Sequence, residues 1–275
     1  AAGNITADKS ITGGGAFTVV DGAVQLYSGA VTVDTLDIQD ATTSVTLDGA
    51  VTTQTTLDIK SGGTLTQNAK VIAGASVDYD TGGALNINET IGATGTVDID
   101  STGVTTIAEA GDITAGDAVT FGSAKNGTLT TAGEITTSND NVSFTNAVTQ
   151  SGDVAIDTGS GAGNILFSST VATGDKNLTL DAGASGNITA ASSITGGGAM
   201  TVVDGAVQLY SGAITVDSLD IQDATTSVTL DGDVTTQTTV DINSGGTLTQ
   251  NKKVIAGTSL DYDAGGALSL SLIHI

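Results

Sequence analysis

The stretch LDIQDATTSVTLDGAVTTQTTLDIKSGGTLTQ, residues 36–67, decides the fold of this chain. Apolar residues alternate with polar ones in short runs, and Gly, Asp, Ser and Asn separate the runs. Alternation with a period of two is typical of half-buried β-strands, and the separating residues are typical of tight turns. The element LDI occurs at residues 36–38 and returns at 57–59. The stretch therefore predicts short strands that repeat at intervals of about 20 residues.

This short repeat extends along the whole chain. The first apolar residues of the corresponding strands are Phe17, Leu36, Leu57, Val77, Val97, Val119, Val142, Val154, Leu178, Met200, Leu219, Val240 and Leu260. Their spacing is nearly constant, except for the much shorter step between Val142 and Val154. A repeat of this length signals a solenoid or an array. We therefore predict an all-β chain, a parallel β-solenoid whose Val, Ile, Leu and Ala side chains form one inner column. The alternative is an array of β-sandwich domains of roughly 90 residues.

A longer repeat contains the short one, because residues 4–85 and 187–268 are identical at 70 of 82 aligned positions. The decapeptide DGAVQLYSGA, for example, occurs at 21–30 and again at 204–213. The second copy begins 183 residues after the first, a distance that contains nine of the short repeats. This distance predicts a duplication of nine coils. We expect residues 1–269 to form one continuous solenoid fragment in which residues 117–173 are irregular coils.

The tail LSLIHI, residues 270–275, departs from the first copy, which continues LNINETIGA from Leu85. It also resembles the translation of a sequencing adapter. We expect a non-native tail, the alternative being a genuine terminal strand.

The composition excludes several classes of protein. The chain has seven Lys, no Arg and 30 acidic residues, for a formal charge of −23, so it repels nucleic acid and anionic lipid. No apolar run approaches the roughly 18 residues that span a membrane, so we expect no membrane insertion of this segment.

With no Cys and one His, at position 274, neither a zinc site nor a nucleophilic triad is expected. We therefore predict that the chain is not an enzyme and binds no cofactor.

Asp occupies the position after the key apolar residue in consecutive coils. The residues concerned are Asp37, Asp58, Asp78 and Asp98 in the first copy and Asp220, Asp241 and Asp261 in the second; Asp80, Asp100 and Asp263 lie two residues further on. Stacked coils place such residues about 4.8 Å apart on the outside. Calcium needs six to eight oxygen ligands, some of which adjacent rows could supply. These rows predict either a weak Ca²⁺ site or a solvated acidic face.

The segments LTLDAGASGNITAASSIT (178–195), residues 36–67 and GDVAIDTGSGAGNILFSSTV (152–171) resemble the repeat regions of filamentous haemagglutinin-type exoproteins and autotransporter passenger domains. The resemblance covers nearly the whole chain. It implies a right-handed parallel β-helix, export across the outer membrane of a Gram-negative-type bacterium, and adhesion or matrix roles.

We therefore expect a structural or adhesive, rod-like segment of a large secreted or surface-anchored exoprotein. Its partners would be host or environmental glycans, matrix or neighbouring rods, and its location extracellular or at the cell surface. One alternative is a carbohydrate-active β-helix enzyme that hydrolyses or cleaves polysaccharides with convergent carboxylates. A remote alternative is an ice-binding solenoid, suggested by the Thr-rich residues 51–56 and 234–240.

Overall fold

The fold is a parallel β-solenoid. The computed structural model describes residues 4–26, 29–41, 43–122, 124–125, 127–209 and 212–271. Every regular element in these residues is a β-strand, and three strands make one coil, for about thirteen coils in all. The predictions of an all-β chain and of a solenoid with roughly 20 residues per coil are confirmed, and the β-sandwich alternative is wrong. The right-handed winding that the resemblance implies stays a prediction.

The chain divides into two compact units, Ala1–Glu134 and Ile135–Ile275. Unit 1 contains β1 (Asn4–Ala7), β2 (Ile11–Thr12), β3 (Ala16–Val19), β4 (Ala23–Leu26), β5 (Val31–Val33), β6 (Thr35–Ala41), β7 (Ser44–Leu47), β8 (Val51–Thr53), β9 (Leu57–Ser61), β10 (Thr64–Gln67), β11 (Val71–Ala73), β12 (Val77–Thr81), β13 (Leu85–Ile87), β14 (Ile91–Ala93), β15 (Val97–Ser101), β16 (Val104–Ile107), β17 (Ile113–Ala115), β18 (Val119–Phe121) and β19 (Thr128–Thr131). Its three sheets are sheet 1a (β1, β4, β7, β10, β13, β16, β19), sheet 1b (β2, β5, β8, β11, β14, β17) and sheet 1c (β3, β6, β9, β12, β15, β18).

Unit 2 is built in the same way. It contains β20 (Ile135–Thr137), β21 (Val142–Phe144), β22 (Val148–Gln150), β23 (Val154–Asp157), β24 (Ile165–Phe167), β25 (Val171–Gly174), β26 (Leu178–Asp181), β27 (Asn187–Ala190), β28 (Ile194–Gly196), β29 (Ala199–Asp204), β30 (Ala206–Leu209), β31 (Ile214–Val216), β32 (Ser218–Ala224), β33 (Ser227–Leu230), β34 (Val234–Thr236), β35 (Thr239–Ser244), β36 (Thr247–Gln250), β37 (Val254–Ile255), β38 (Ser259–Ala264) and β39 (Leu268–Leu270). Its sheets are sheet 2a (β20, β23, β26, β29, β32, β35, β38), sheet 2b (β21, β24, β27, β30, β33, β36, β39) and sheet 2c (β22, β25, β28, β31, β34, β37).

Equivalent apolar residues stack in single file within each unit. In unit 1 the register pairs Phe17, Leu36, Leu57, Val77, Val97 and Val119 in succession. In unit 2 it pairs Val154, Leu178, Met200, Leu219, Val240 and Leu260. Because the side-chain period of a strand is two, this register keeps every second residue of each strand inside the coil. Short corners connect the strands, and a Cβ at Gly63 would collide with the carbonyl oxygen of Thr43 in the coil before it.

The prediction of one column running through the chain is wrong at the short step between Val142 and Val154. Val142 lies in sheet 2b and pairs with Ile165, whereas Val154 lies in sheet 2a and pairs with Leu178. Strand β22 lies between them along the chain, so the step covers two strands, which is two thirds of a coil. The same short step lies within the long repeat, in which β1 of the first copy corresponds to β27 of the second. The long repeat spans 26 strands, not the 27 that nine coils would need.

The interior is less purely aliphatic than the sequence predicted. Hydroxyl and amide side chains are buried beside the Val, Ile and Leu residues, among them Thr53, Ser61, Gln67, Thr81, Ser101, Thr105, Thr131, Thr137, Gln150, Thr158, Thr173, Thr236, Ser244 and Gln250. The largest fully buried side chain belongs to Tyr79, whose hydroxyl donates to Oε1 of Gln67 at 3.0 Å. Gln67 Nε2 in turn donates to the carbonyl oxygen of Glu89 at 2.9 Å. These bonds remove most of the penalty for burying Tyr79 and Gln67.

Candidate functional surface: acidic and neutral rows

The predicted acidic residues of the first copy form one row on the outer face of sheet 1c. The strand register pairs Asp37 with Asp58, Asp58 with Asp78 and Asp78 with Asp98, and the row ends at Thr120. All four carboxylates are half-buried on the outer face of the sheet. The residues that alternate with them along each strand are the stacked apolar ones, which point into the coil. We call these four residues the first acidic row. The sequence prediction that they occupy adjacent strands is therefore confirmed.

One lysine neutralises part of this row, and a second pairs with a carboxylate beside it. Lys60 Nζ lies 3.2 Å from Oδ2 of Asp58, two residues away on the same strand. Lys125 Nζ contacts Oδ1 of Asp80 and donates to the carbonyl oxygen of Thr81 at 2.9 Å. Lys60 and Asp80 are themselves register partners on β9 and β12. The unit thus supplies its own ammonium groups as counter-ions to its carboxylates.

Lys125 belongs to the connection between β18 and β19, which is longer than most corners. The backbone N–H of Ala124 donates to both carboxylate oxygens of Asp100, at 3.1 Å each. Asp100 is only 6% exposed and is the register partner of Asp80. Through Lys125 and Ala124, the connection therefore contacts β12 and β15, the sheet 1c strands of the two coils before its own. The sequence predicted irregular coils at 117–173, and this long connection is one source of the irregularity.

Burial, and then the crowding of like charges, changes the proton affinity of the carboxylate in the middle of the row. Partial burial, together with the carboxylates of Asp58 and Asp98, raises the pKa of Asp78 to about 6. The hydrogen bond with Asp58, and then its charge, raises the pKa of the Lys60 ammonium. Both shifts have the direction expected for a carboxylate among carboxylates and an ammonium beside one.

The second copy forms an acidic row with fewer partners, which we call the second acidic row. Asp220, Asp241 and Asp261 are successive register partners in sheet 2a, and Asp263 pairs with Asn243. Asp220 Oδ2 accepts a hydrogen bond from Gln222 Nε2 at 2.9 Å. Within the described ranges, Asp241, Asp261 and Asp263 have no hydrogen bond or ion pair from a side chain. Partial desolvation and its two neighbours in the row raise the pKa of Asp241.

The rows do not gather into a compact metal centre. In the part of the chain that the structure describes, no group of three or more His, Cys, Asp or Glu side chains has a geometry that could hold a metal ion. A ladder of carboxylates one strand apart presents its oxygens along a line, whereas Ca²⁺ needs ligands around it. The Ca²⁺ site at these residues stays a prediction from the sequence.

An uncharged row on sheet 1a was not predicted from the sequence. The register pairs Thr46, Thr66, Asn86, Thr106 and Thr130 in succession. We call these five residues the neutral row. The alternation in SVTL (44–47) and TLTQ (64–67) could have predicted this row, because it places Thr46 and Thr66 each between two buried residues. The Thr-rich residues 51–56 are arranged differently: Thr52 faces outward, but Thr53 is 2% exposed and lies inside the coil.

One surface depression of about 390 Å³ lies on unit 1 and contains no carboxylate. Its lining includes Lys70, Ile72, Thr90, Gly92, Thr94 and Thr114. A polysaccharide hydrolase would need carboxylates that converge on such a depression. A smaller depression of about 230 Å³ on unit 2 is lined by two carboxylates, those of Asp231 and Asp233, together with Lys252.

Within the described residues, no helix has the length and hydropathy to cross a membrane. Comparisons of the chain with family models, with curated proteins and with solved structures found no match. The likeness that the sequence suggests is therefore one of composition and repeat length.

Proposed function

We propose that this chain is a structural and adhesive segment of a large secreted or surface-anchored bacterial exoprotein. The observation that supports this function is the register of the outward side chains. Rows of like residues repeat coil after coil, as Thr66, Asn86 and Thr106 do on sheet 1a. Such a surface suits a partner that is itself repetitive, such as a glycan or a matrix polymer. Catalysis, by contrast, needs a local departure from the repeat.

The two kinds of row suit different partners. The acidic rows and the formal charge of −23 oppose binding to acidic polymers. The neutral row carries hydroxyl and amide groups that donate and accept hydrogen bonds, as glycan hydroxyls do. We therefore assign glycan contact to the neutral row and solubility, together with repulsion of anionic surfaces, to the acidic rows.

Retention of the purified chain on immobilised neutral glycans and matrix polymers tests this function. The variants Thr66→Val and Thr106→Val keep the shape of the row and remove its hydroxyl groups. We expect each to weaken retention about fivefold to tenfold, the loss of roughly one hydrogen bond. The matched control, Asp37→Asn, changes the acidic row and should leave retention unchanged. Release of new reducing ends from a polysaccharide would favour the enzyme instead, and a chain that no glycan or matrix polymer retains would overturn the proposal.

A further inference from the structure

The outer face of sheet 1b carries a glycine where the neighbouring strands carry side chains. The strand register pairs Thr52 with Ile72, Ile72 with Gly92 and Gly92 with Thr114. Both register partners of Gly92 are exposed, and Ile72 is 41% exposed. Because adjacent strands lie about 4.8 Å apart, the strands that carry Ile72 and Thr114 are about 9.6 Å apart. The missing side chain of Gly92 therefore leaves a gap in this outer row.

The backbone does not require glycine at this position. A Cβ at Gly92 would lie 3.9 Å from the carbonyl oxygen of Val71, which is ordinary van der Waals contact, and the φ angle of Gly92 lies outside the left-handed region. At Gly74, by contrast, a Cβ would collide with the carbonyl oxygen of Gln54 in the coil before it. Glycine weakens the interior of a strand and is found there where a ligand approaches the backbone closely. The gap at Gly92 is therefore open to a ligand.

The gap belongs to the depression of about 390 Å³ on unit 1, whose volume is typical of sites that bind small molecules. Ile72 and Gly92 supply apolar surface, and Thr90 and Thr114 supply hydroxyl groups. Within the described ranges, neither of these two hydroxyl groups has a hydrogen-bond partner in the protein. Apolar surface beside free hydroxyl groups suits a pyranose ring, which has C–H groups on its faces and hydroxyl groups at its edge.

The charge at the depression indicates the kind of sugar. Lys70 is exposed and is the one ionisable residue among the described residues that line the depression. Lys60 and Lys125 each pair with a carboxylate, whereas Lys70 has no ion pair in the part of the chain that the structure describes. Its ammonium group is therefore available to an anionic group of a ligand. The formal charge of −23 repels polyanions, so a glycan with one carboxylate fits better than an acidic polymer.

We propose that the depression at Gly92 binds one pyranose ring that carries a carboxylate, within an otherwise neutral glycan. The face of the ring packs on Ile72 and on the backbone of Gly92, and its carboxylate pairs with the ammonium group of Lys70. Ring hydroxyl groups form hydrogen bonds with Thr90 and Thr114. The inference rests on the proposed function for its class of ligand, but not on the neutral row, which lies on sheet 1a.

The variant Gly92→Thr tests the proposal, because it fills the gap with the side chain of the register partner Thr114. Isothermal titration calorimetry measures the binding of two probes, a neutral trisaccharide that ends in glucose and the same trisaccharide ending in glucuronate. We expect the unaltered chain to bind the acidic probe at least about tenfold more tightly than the neutral one, and Gly92→Thr to lose this binding. The variant should also melt about 2 °C higher, since threonine replaces glycine within a strand. Lost binding would then not be due to unfolding.

Lys70→Gln removes the charge and keeps most of the side chain, so this variant should bind both probes alike. The matched control is Lys252→Gln, which alters an exposed lysine beside Asp231 and Asp233 in the smaller depression of unit 2 and should leave the preference intact. Equal binding of both probes by the unaltered chain, or full binding of the acidic probe by Gly92→Thr, would overturn the proposal. Acidic-probe binding that Thr66→Val abolishes and Gly92→Thr does not would place the sugar on the neutral row, which would overturn this inference and support the proposed function.

Discussion

Residues 57–87 and 240–270 are nearly identical in sequence, yet they have different surroundings. Tyr79 and Tyr262 each donate a hydroxyl hydrogen bond to a glutamine at 3.0 Å. Tyr79 is nevertheless fully buried, whereas Tyr262 is only part-buried and its neighbour Leu260 is 38% exposed. The difference is that β12 has a strand on both sides, whereas β38 has a described strand on one side. In a stacked repeat, burial is thus a property of the neighbouring coil rather than of the local sequence.

The two copies also differ in charge where the sequence changed. Lys60 beside Asp58 becomes Asn243 beside Asp241, which removes an ion pair from the second acidic row. Lys125, which contacts Asp80, lies outside the duplicated segment 4–85. In the first row Lys60 therefore neutralises one carboxylate, whereas Asp241 and Asp261 of the second row are exposed.

The largest expected effect is on the free energy of unfolding, and it differs between the two tyrosines. Tyr79→Ala removes a fully buried ring and should lower the free energy of unfolding by about 3–5 kcal/mol, the usual cost of a large core truncation. It also leaves Gln67 Oε1 without its donor. Tyr262→Ala, at the open coil, should cost less than half as much because water reaches the site. Urea unfolding followed by circular dichroism measures both.

The variants Tyr79→Phe and Tyr262→Phe are the matched controls, because they keep the ring and remove only the hydroxyl group. The buried position should lose about 1–3 kcal/mol, the penalty of an unpaired polar group, and the open one less. Equal losses at the two positions would contradict the comparison, since they would mean that the neighbouring coil contributes nothing to burial.

A smaller effect is expected from the carboxylates, and it depends on pH. The pKa of Asp78 rises in the folded protein from 3.8 to about 6, so the folded state binds the proton more tightly than the unfolded state. The protonated side chain therefore favours folding below about pH 4, and this contribution is lost as the pH rises through about 6. At neutral pH the ionised Asp78 lowers the free energy of unfolding by up to about 3 kcal/mol if the group is shielded from solvent. Solvent screening reduces this destabilisation to about 1 kcal/mol.

Asp78→Asn should accordingly stabilise the protein by about 1 kcal/mol at pH 8 and by almost nothing near pH 3.5. Asp261→Asn is the control, because its carboxylate is exposed and has one acidic register partner instead of two. Its effect at pH 8 should be smaller. Thermal unfolding across this pH range measures both variants, and a stabilisation by Asp78→Asn that did not change with pH would argue against a raised pKa of Asp78.

The repeat made most of the fold predictable, because a nearly constant coil length fixes which side chains meet. Leu36, Leu57 and Val77 could be aligned by counting alone, and the acidic residues that follow them came into register as a consequence. Counting failed between Val142 and Val154, because each apolar–x–apolar strand looks alike whichever sheet it enters.

The contacts of Lys125 could not be predicted from the sequence. This residue reaches Asp80 and the backbone of Thr81, 44 residues earlier in the chain, and the path of an irregular connection does not follow from a repeat. The buried partner of Tyr79 was missed for another reason. Gln67 is the last residue of the alternating strand β10 and points inward although it is polar, and an apolar–polar pattern assigns such a residue to the surface.

The smallest expected effect comes from exchanging the lysine between the copies. Lys60→Asn removes the ion pair with Asp58, and Asn243→Lys places an ammonium group beside Asp241, between Asp220 and Asp261. Exposed pairs of this kind contribute about 0.5 kcal/mol, so Lys60→Asn should lower the melting temperature slightly and Asn243→Lys should raise it. Both shifts should disappear in about 1 M salt, where the screening length falls to about 3 Å. If instead the shifts persist at high salt, the lysine acts through packing of its methylene groups, and the electrostatic half of the comparison between the two copies fails.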